Sequence, residues 1–148
     1  MTSDPRKFAP RIAVLVPCYN EEAAIAKVVR DFRAALPAAA IYVYDNNSRD
    51  RTAEVAREAG AVVRAEPLQG KGHVVRRMFA DVDADLYVLV DGDATYDAAS
   101  APAMISRAVN ERLDMVVGAR ISDEAAAYRA GHVLGNRVLT GFVGRLFG

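Results

Sequence analysis

Short apolar runs alternate along this chain with longer segments whose apolar residues recur at helical spacing. An apolar run of about five residues is too short for a globular helix and is typical of a strand buried on both faces. Residues 86–90 are the clearest case. We expect strands at residues 12–16, 41–44, 61–65, 86–90 and 115–117.

The segments between these runs are predicted to be helices. In the first, apolar residues from Ala24 to Leu36 lie on one helical face, with Asn20 as the cap and Pro37 after the end. Similar patterns predict helices at residues 51–59, around 74–79, and at 101–113 with Ser100 as the cap. Strands that alternate with helices favour a single α/β domain over residues 1–148, with a mostly parallel sheet and helices on both faces.

Polar residues follow the predicted strands, at 17–22, 45–50, 91–97 and 118–120. Parallel strands end at the same edge of a sheet, and open α/β sheets bind their ligands at that edge. These four loops are therefore expected to form one site from distant parts of the sequence. Pro17 is expected to end the first strand because it lacks a backbone N–H.

The loop after residues 86–90 begins with two carboxylates, Asp91 and Asp93, separated by Gly92. Residues i and i+2 of a strand point the same way, so the two carboxylates can share a target, and glycine allows a close backbone approach. Facing carboxylates repel unless a cation lies between them, and hard divalent ions prefer oxygen ligands. The pair indicates Mg²⁺ or Mn²⁺ held against a phosphorylated ligand, with a plain Asp-Gly turn as the alternative.

Charge and cysteine content narrow the class of protein. Lys plus Arg number 19 and Asp plus Glu number 19, which argues against a dedicated nucleic-acid binder. Cys18 is the single cysteine, which excludes an internal disulfide and fits a reducing compartment. No apolar run reaches the length of a membrane span, and the first residues lack the apolar core of a signal peptide. We expect a cytoplasmic protein whose oligomeric state is open, a homo-oligomer included.

The tail of the chain carries an apolar stripe. Its residues fall on one helical face and predict an amphipathic helix over residues 132–147: Leu134, Val138, Leu139, Phe142, Val143 and Leu146. Such a helix either packs on the core or lies on a membrane surface. In the second case the protein would work at the cytoplasmic face of the membrane.

Five motifs occur in order: VPCYNEE at 16–22, YDNNSRDRT at 44–52, QGKG at 69–72, DGD at 91–93 and GAR at 118–120. In this order and spacing they resemble the family 2 glycosyltransferases, which have the Rossmann-like GT-A fold. The segment RAGHVLGNRVLTGFVGRLFG, at 129–148, is most similar to polyprenyl-phosphate glycosyltransferases of the dolichyl-phosphate mannose synthase type. The resemblance covers nearly the whole chain from Ile12.

The resemblance implies inverting sugar transfer from a UDP- or GDP-linked donor to a polyprenyl phosphate at a membrane surface. It assigns donor-binding roles to residues of the first four motifs: Pro17, Tyr19 and Glu21 in the nucleotide pocket, Asp45 near the base or ribose with Asn46 beside it, Lys71 close to the donor, and Asp91 and Asp93 on the metal. Arg120 and Arg129 would meet phosphate, that of the lipid acceptor, and with Asp93 they are the expected catalytic residues.

Three departures from the family pattern bear on function. Asn46 stands where many relatives have a second Asp, and Thr95 stands where relatives have Gln, a better metal ligand. The chain also ends at Gly148, before the relatives' acceptor motif, so we expect it to be the donor-binding part. Two alternatives stay open: a glycosyltransferase with a saccharide or protein acceptor, and an inactive nucleotide-sugar-binding module.

Overall fold

The computed structural model describes residues 10–119. Residues 10–116 belong to one compact unit built on a four-stranded sheet in the order β3-β2-β1-β4. All neighbouring strands pair in parallel. The strands are β1 (Ile12–Cys18), β2 (Ala40–Asp45), β3 (Val62–Ala65) and β4 (Leu86–Leu89). The predicted α/β class with a parallel sheet is confirmed.

Helices connect the strands, as parallel pairing requires. They are α1 (Ile25–Ala35), α2 (Thr52–Glu58), α3 (Lys71–Asp81) and α4 (Ala101–Glu111), the last preceded by a short 3₁₀ turn, Ala98–Ser100. Between residues 10 and 119, no helix is long and apolar enough to cross a membrane.

The core lies on both faces of β1, whose side chains alternate between them. Val14 and Val16 join a buried cluster with residues of α1 and α2, whereas Ala13 and Leu15 pack with residues of α3 on the opposite face. All four side chains are almost fully buried. The prediction of helices on both faces of the sheet is therefore confirmed.

Two expectations about strands are wrong. Residues 115–117 are not a strand in the structure, and Met115 and Val117 are 78% and 79% exposed. A short apolar triplet becomes a strand only where a sheet edge pairs with it, and within the described residues the sheet contains β1 to β4 alone. The second error concerns β4. Among the described strands it lies at the edge of the sheet, and its Tyr87 and Leu89 are 38% and 44% exposed, so it is not buried on both faces.

Three predicted ends of strands and helices are also wrong. Pro17 does not end β1, because pairing with β2 continues to Cys18 while pairing with β4 stops at Leu15. Neither Asn20 nor Ser100 caps a helix through its side chain. Asp97 performs that role for the 3₁₀ turn, since its carboxylate accepts the N–H of Ala99.

Candidate functional site

A cleft of about 300 Å³ opens at the carboxyl ends of the strands. The structure brings seven of the predicted site residues to its walls: Pro17, Tyr19, Glu21, Asn46, Lys71, Asp91 and Asp93. Five further residues line it that were not among the predicted site residues, although Gly92 was expected to allow a close backbone approach there: Cys18, Gln69, Gly70, Val74 and Gly92. Most of these five lie within or beside the motifs, and that proximity was the available signal.

Two of the cleft loops, residues 19–22 and 46–52, are tied together by reciprocal hydrogen bonds. Asn20 accepts the N–H of Arg49 at 2.8 Å, and its own N–H donates to Ser48 Oγ at 2.8 Å. Because its side chain is used in this way, Asn20 does not cap a helix. Its backbone is left-handed, with φ 55°, a conformation that asparagine tolerates better than most residues. Its side chain joins the loops instead.

The buried hydroxyl of Thr52 continues this junction. It accepts the N–H of Glu21 at 2.7 Å and donates to the carboxylate of Asp50. The Asp50 carboxylate also accepts the N–H of Glu22 at 3.2 Å. Chiefly because the Thr52 hydroxyl donates to it, the pKa of Asp50 is lowered, so this carboxylate stays charged beside the cleft.

Asn46 holds the loop that precedes α3. Its buried amide nitrogen donates to the carbonyls of Glu66 and Leu68, both at 2.8 Å, and its amide oxygen accepts the N–H of Gly70 at 2.7 Å. An aspartate could not donate these bonds when ionised. The asparagine at this position is thus suited to anchoring the loop that carries Lys71.

Lys71 and Asp91 form an ion pair inside the cleft, with Nζ 2.5 Å from Oδ1. Lys71 is the first residue of α3, so its ammonium and the positive end of that helix lie on the same side of the cleft. The other oxygen of Asp91 lies 3.4 Å from the hydroxyl of Tyr96. The cleft therefore presents a cation, at the amino end of a helix, next to a carboxylate.

Asp93 is fixed by Thr95, which donates both its backbone N–H, at 3.1 Å, and its hydroxyl, at 2.7 Å, to Oδ1. Ala94, between them, has a left-handed backbone with φ 59°. Such a conformation costs a non-glycine residue about 1 kcal/mol or more. Thr95 thus orients the carboxylate of Asp93 at the cleft.

The acidic side chains act on one another. The pKa of Glu21 is raised, first by partial burial and then by the negative charges of Asp93, Asp50 and Asp91. A site with this negative potential and hard oxygen donors fits a divalent cation. Between residues 10 and 119, however, no three His, Cys, Asp or Glu side chains converge well enough to hold a metal alone. The residues therefore fit an ion that takes its remaining ligands from a bound phosphate or water.

Gly92 lies directly against Cys18. A β-carbon built on Gly92 would be 2.5 Å from the sulfur, closer than such contacts occur in proteins. Glycine thus lets the turn that carries the two aspartates pack against the end of β1. Burial, assisted by the nearby carboxylates, raises the pKa of the thiol, which disfavours the reactive thiolate form.

One predicted residue is not on the cleft wall, and three predicted features fall outside the described residues. Asp45 is not on the cleft wall: its Oδ2 accepts the N–H of Ser48 at 3.3 Å, and its Oδ1 is buried without a hydrogen-bond partner among the described residues. Arg120, Arg129 and the helix predicted at residues 132–147 lie outside the described residues.

The sequence profile of the family Glycosyl transferase family 2 matches residues 13–145, almost the whole chain. The chain belongs to this family. The resemblance drawn from the five motifs is thereby confirmed at the family level. The fold agrees, since the structure of glucosyl-3-phosphoglycerate synthase from Mycobacterium tuberculosis, in complex with Mn²⁺, uridine diphosphate and phosphoglyceric acid, superposes with a TM-score of 0.62 at 26% identity. The GT-A prediction is confirmed.

Two curated proteins illustrate the range of relatives within family 2. Protein RfbJ of Shigella flexneri is 61% identical over 122 residues, which are 82% of this chain and 95% of that protein. A dolichyl-phosphate hexose transferase of Haloferax volcanii is 33% identical over 137 residues, 90% of this chain. The chain spans only 60% of the Haloferax protein and 39% of the Mycobacterium synthase.

Proposed function

We propose that the cleft binds the diphosphate of a nucleotide-sugar donor with a divalent metal, and that the protein transfers the sugar, with inversion, to a polyprenyl phosphate. One observation carries the donor half: Lys71, at the start of α3, and the carboxylates Asp91 and Asp93 line the same cleft at the strand ends. A diphosphate needs cationic partners, and the carboxylates suit the metal that would accompany it.

Sugar transfer from such a donor requires stabilisation of the leaving diphosphate. A divalent ion bound by Asp91 and Asp93 would neutralise the charge that develops there. The protein's own part is to orient the donor: Thr95 fixes Asp93, and Asn46 fixes the loop before Lys71. The Mycobacterium synthase was crystallised with Mn²⁺ and uridine diphosphate, which supports a donor of this class.

The acceptor half is supported by the polyprenyl-type motifs and by the name of the Haloferax relative. A phosphate acceptor is ionised near neutral pH and needs orientation more than a general base. We assign that task to Arg120 and Arg129, because a guanidinium fork matches phosphate geometry. The apolar stripe at residues 132–147 would hold the protein against the cytoplasmic face of the membrane that contains the acceptor.

Donor choice and acceptor class are tested separately. Calorimetry with UDP- and GDP-linked sugars in the presence of Mn²⁺ should reveal one preferred nucleotide. Radiolabelled sugar from that donor is then offered to polyprenyl phosphate, phosphoglycerate or an oligosaccharide. We expect label in the lipid phase only. Label in phosphoglycerate or the oligosaccharide would refute the acceptor, and donor binding without any transfer would favour a binding module.

A further inference from the structure

Lys71 is the only cation among the described residues that line the cleft. Its side chain is 61% exposed, whereas that of its partner Asp91 is 33% exposed. The negative charges of Asp50 and Asp93 act on the carboxyl group of Glu21 in the same region. The Lys71 ammonium therefore neutralises part of an acidic site through direct contact with one of the two proposed metal ligands.

Lys71 pairs with Asp91 from the first turn of α3. A lysine in the first turn of a helix is disfavoured by the positive end of the helix dipole. Here the adjacent carboxylate offsets that cost, and the loop before Lys71 is held in place by the three hydrogen bonds of Asn46. The backbone of Lys71 is anchored, while its four-carbon side chain leaves the ammonium able to change partner.

The two aspartates are both engaged by protein groups. Asp91 pairs with Lys71, and Asp93 accepts two hydrogen bonds from Thr95. Within residues 10–119 no third ligand completes a metal site. A metal that bound on its own would have to compete with the Lys71 ammonium for Asp91 and would find few ligands in return.

We propose, on the basis of the function proposed above, that Lys71 is a counter-ion of Asp91. The metal displaces the Lys71 ammonium from Asp91 only when a bound diphosphate provides that ammonium with a new partner. The metal and the diphosphate are then bound as a unit, because each makes the other's binding favourable. By linkage the coupling is reciprocal: the diphosphate raises the affinity for metal by the same factor as the metal raises the affinity for diphosphate.

The test measures Mn²⁺ binding directly, by electron paramagnetic resonance of the free ion, with and without uridine and guanosine diphosphates. It compares the wild-type protein with Lys71→Met and with Lys71→Gln, which guards against a folding defect in either variant. The matched control is Lys27→Met, because Lys27 also pairs with an aspartate, Asp31, but on the exposed surface of α1. Circular dichroism checks that each variant is folded.

We expect both Lys71 variants to bind Mn²⁺ without nucleotide about five- to fiftyfold more tightly than the wild type, which lies within the range of ordinary coupling between sites. Their diphosphate affinity without metal should fall, and the enhancement of Mn²⁺ binding by diphosphate should shrink. Lys27→Met should match the wild type in all three measurements.

Two results would overturn the proposal. If the wild type binds Mn²⁺ with diphosphate normally but the Lys71 variants show unchanged or weaker Mn²⁺ affinity without it, the counter-ion role is wrong and the proposed function survives. If the wild type binds neither uridine diphosphate nor guanosine diphosphate in the presence of Mn²⁺, the proposed function fails and the counter-ion role fails with it.

Discussion

Replacing Gly92 with alanine should disturb both the stability of the domain and its donor site. The added β-carbon would lie 2.5 Å from the sulfur of Cys18, while its distances to Glu21, 3.4 and 3.6 Å, are close to ordinary contact. Relieving the sulfur clash requires a displacement of about 1 Å, and overpacking of this kind costs about 1–3 kcal/mol. The turn bearing Asp91 and Asp93 should move with it, so we also expect weaker donor binding.

A second change separates this clash from other effects of alanine. Cys18→Ala removes the sulfur and should cost about 1 kcal/mol through lost apolar contact. The pair Cys18→Ala/Gly92→Ala should then be more stable than the sum of the single changes predicts, by about 1–2 kcal/mol, because the new methyl group fills the vacated space. Gly72→Ala is the matched control: the β-carbon that alanine would add there meets no neighbouring group within 4 Å, and alanine favours the helix.

Urea unfolding followed by circular dichroism gives the four free energies of this cycle, and calorimetry gives donor affinity for each variant. Recovery of both quantities in the double variant would establish that Gly92 is needed for its contact with Cys18. Strictly additive losses in stability would refute the steric explanation. Unchanged donor affinity in a destabilised Gly92→Ala would show that the position of the turn does not matter for binding.

Two further predictions rest on the described contacts, and a third rests on the sequence pattern at residues 132–147. Asn46→Asp removes two donors from buried contacts, so we expect a loss of at least about 2 kcal/mol in urea unfolding together with weaker donor binding; unchanged values would refute the anchoring role. Glu21→Gln should raise the melting temperature at neutral pH, because the raised pKa of Glu21 makes the contribution of this carboxyl group to stability complete only at acidic pH, and that contribution is lost as the pH rises through the folded-state pKa. The gain should vanish in acid, and a gain that does not depend on pH would contradict an origin in the charge of Glu21. Phe142→Glu should weaken co-sedimentation with anionic liposomes; lost stability, with no liposome binding even in the wild type, would indicate packing on the core instead.

The central strands and the first helix of this domain were predicted well from the sequence, for a physical reason. The runs that became β1 and β2 are continuous and apolar because they are covered on both faces, and the helical stripe of α1 matches its buried residues Ile25, Val28, Val29 and Phe32. The convergence of Glu21, Asn46 and Asp91 followed from a general property of parallel sheets, that their strands end at one edge, whereas Lys71 was expected there from the family resemblance alone.

What sequence reasoning missed depends on contacts between residues far apart in the chain. The link from Asn20 to Arg49 and the anchoring bonds of Asn46 satisfy backbone groups whose partners no local pattern specifies. Asn20 carries the same polar signal whether it caps a helix or bridges two loops. Strand position is similar: the run at residues 86–90 does not show that β4 lies at a sheet edge, and the triplet at 115–117 does not show that it lacks a strand partner in the described sheet.

The most direct test of the central claim is the metal dependence of diphosphate binding. Calorimetry should compare the affinity for the preferred nucleoside diphosphate with Mn²⁺ and with excess chelator, in the wild type, in Asp93→Asn and in Asp83→Asn. Asp83 is the control because its exposed carboxylate pairs with Arg11 just before β1 and β4, away from the strand ends that form the cleft. We predict that chelator and Asp93→Asn each weaken binding at least about tenfold, while Asp83→Asn leaves it unchanged. Equal affinity in chelator, or equal losses in both variants, would contradict a metal and diphosphate site at Asp91 and Asp93.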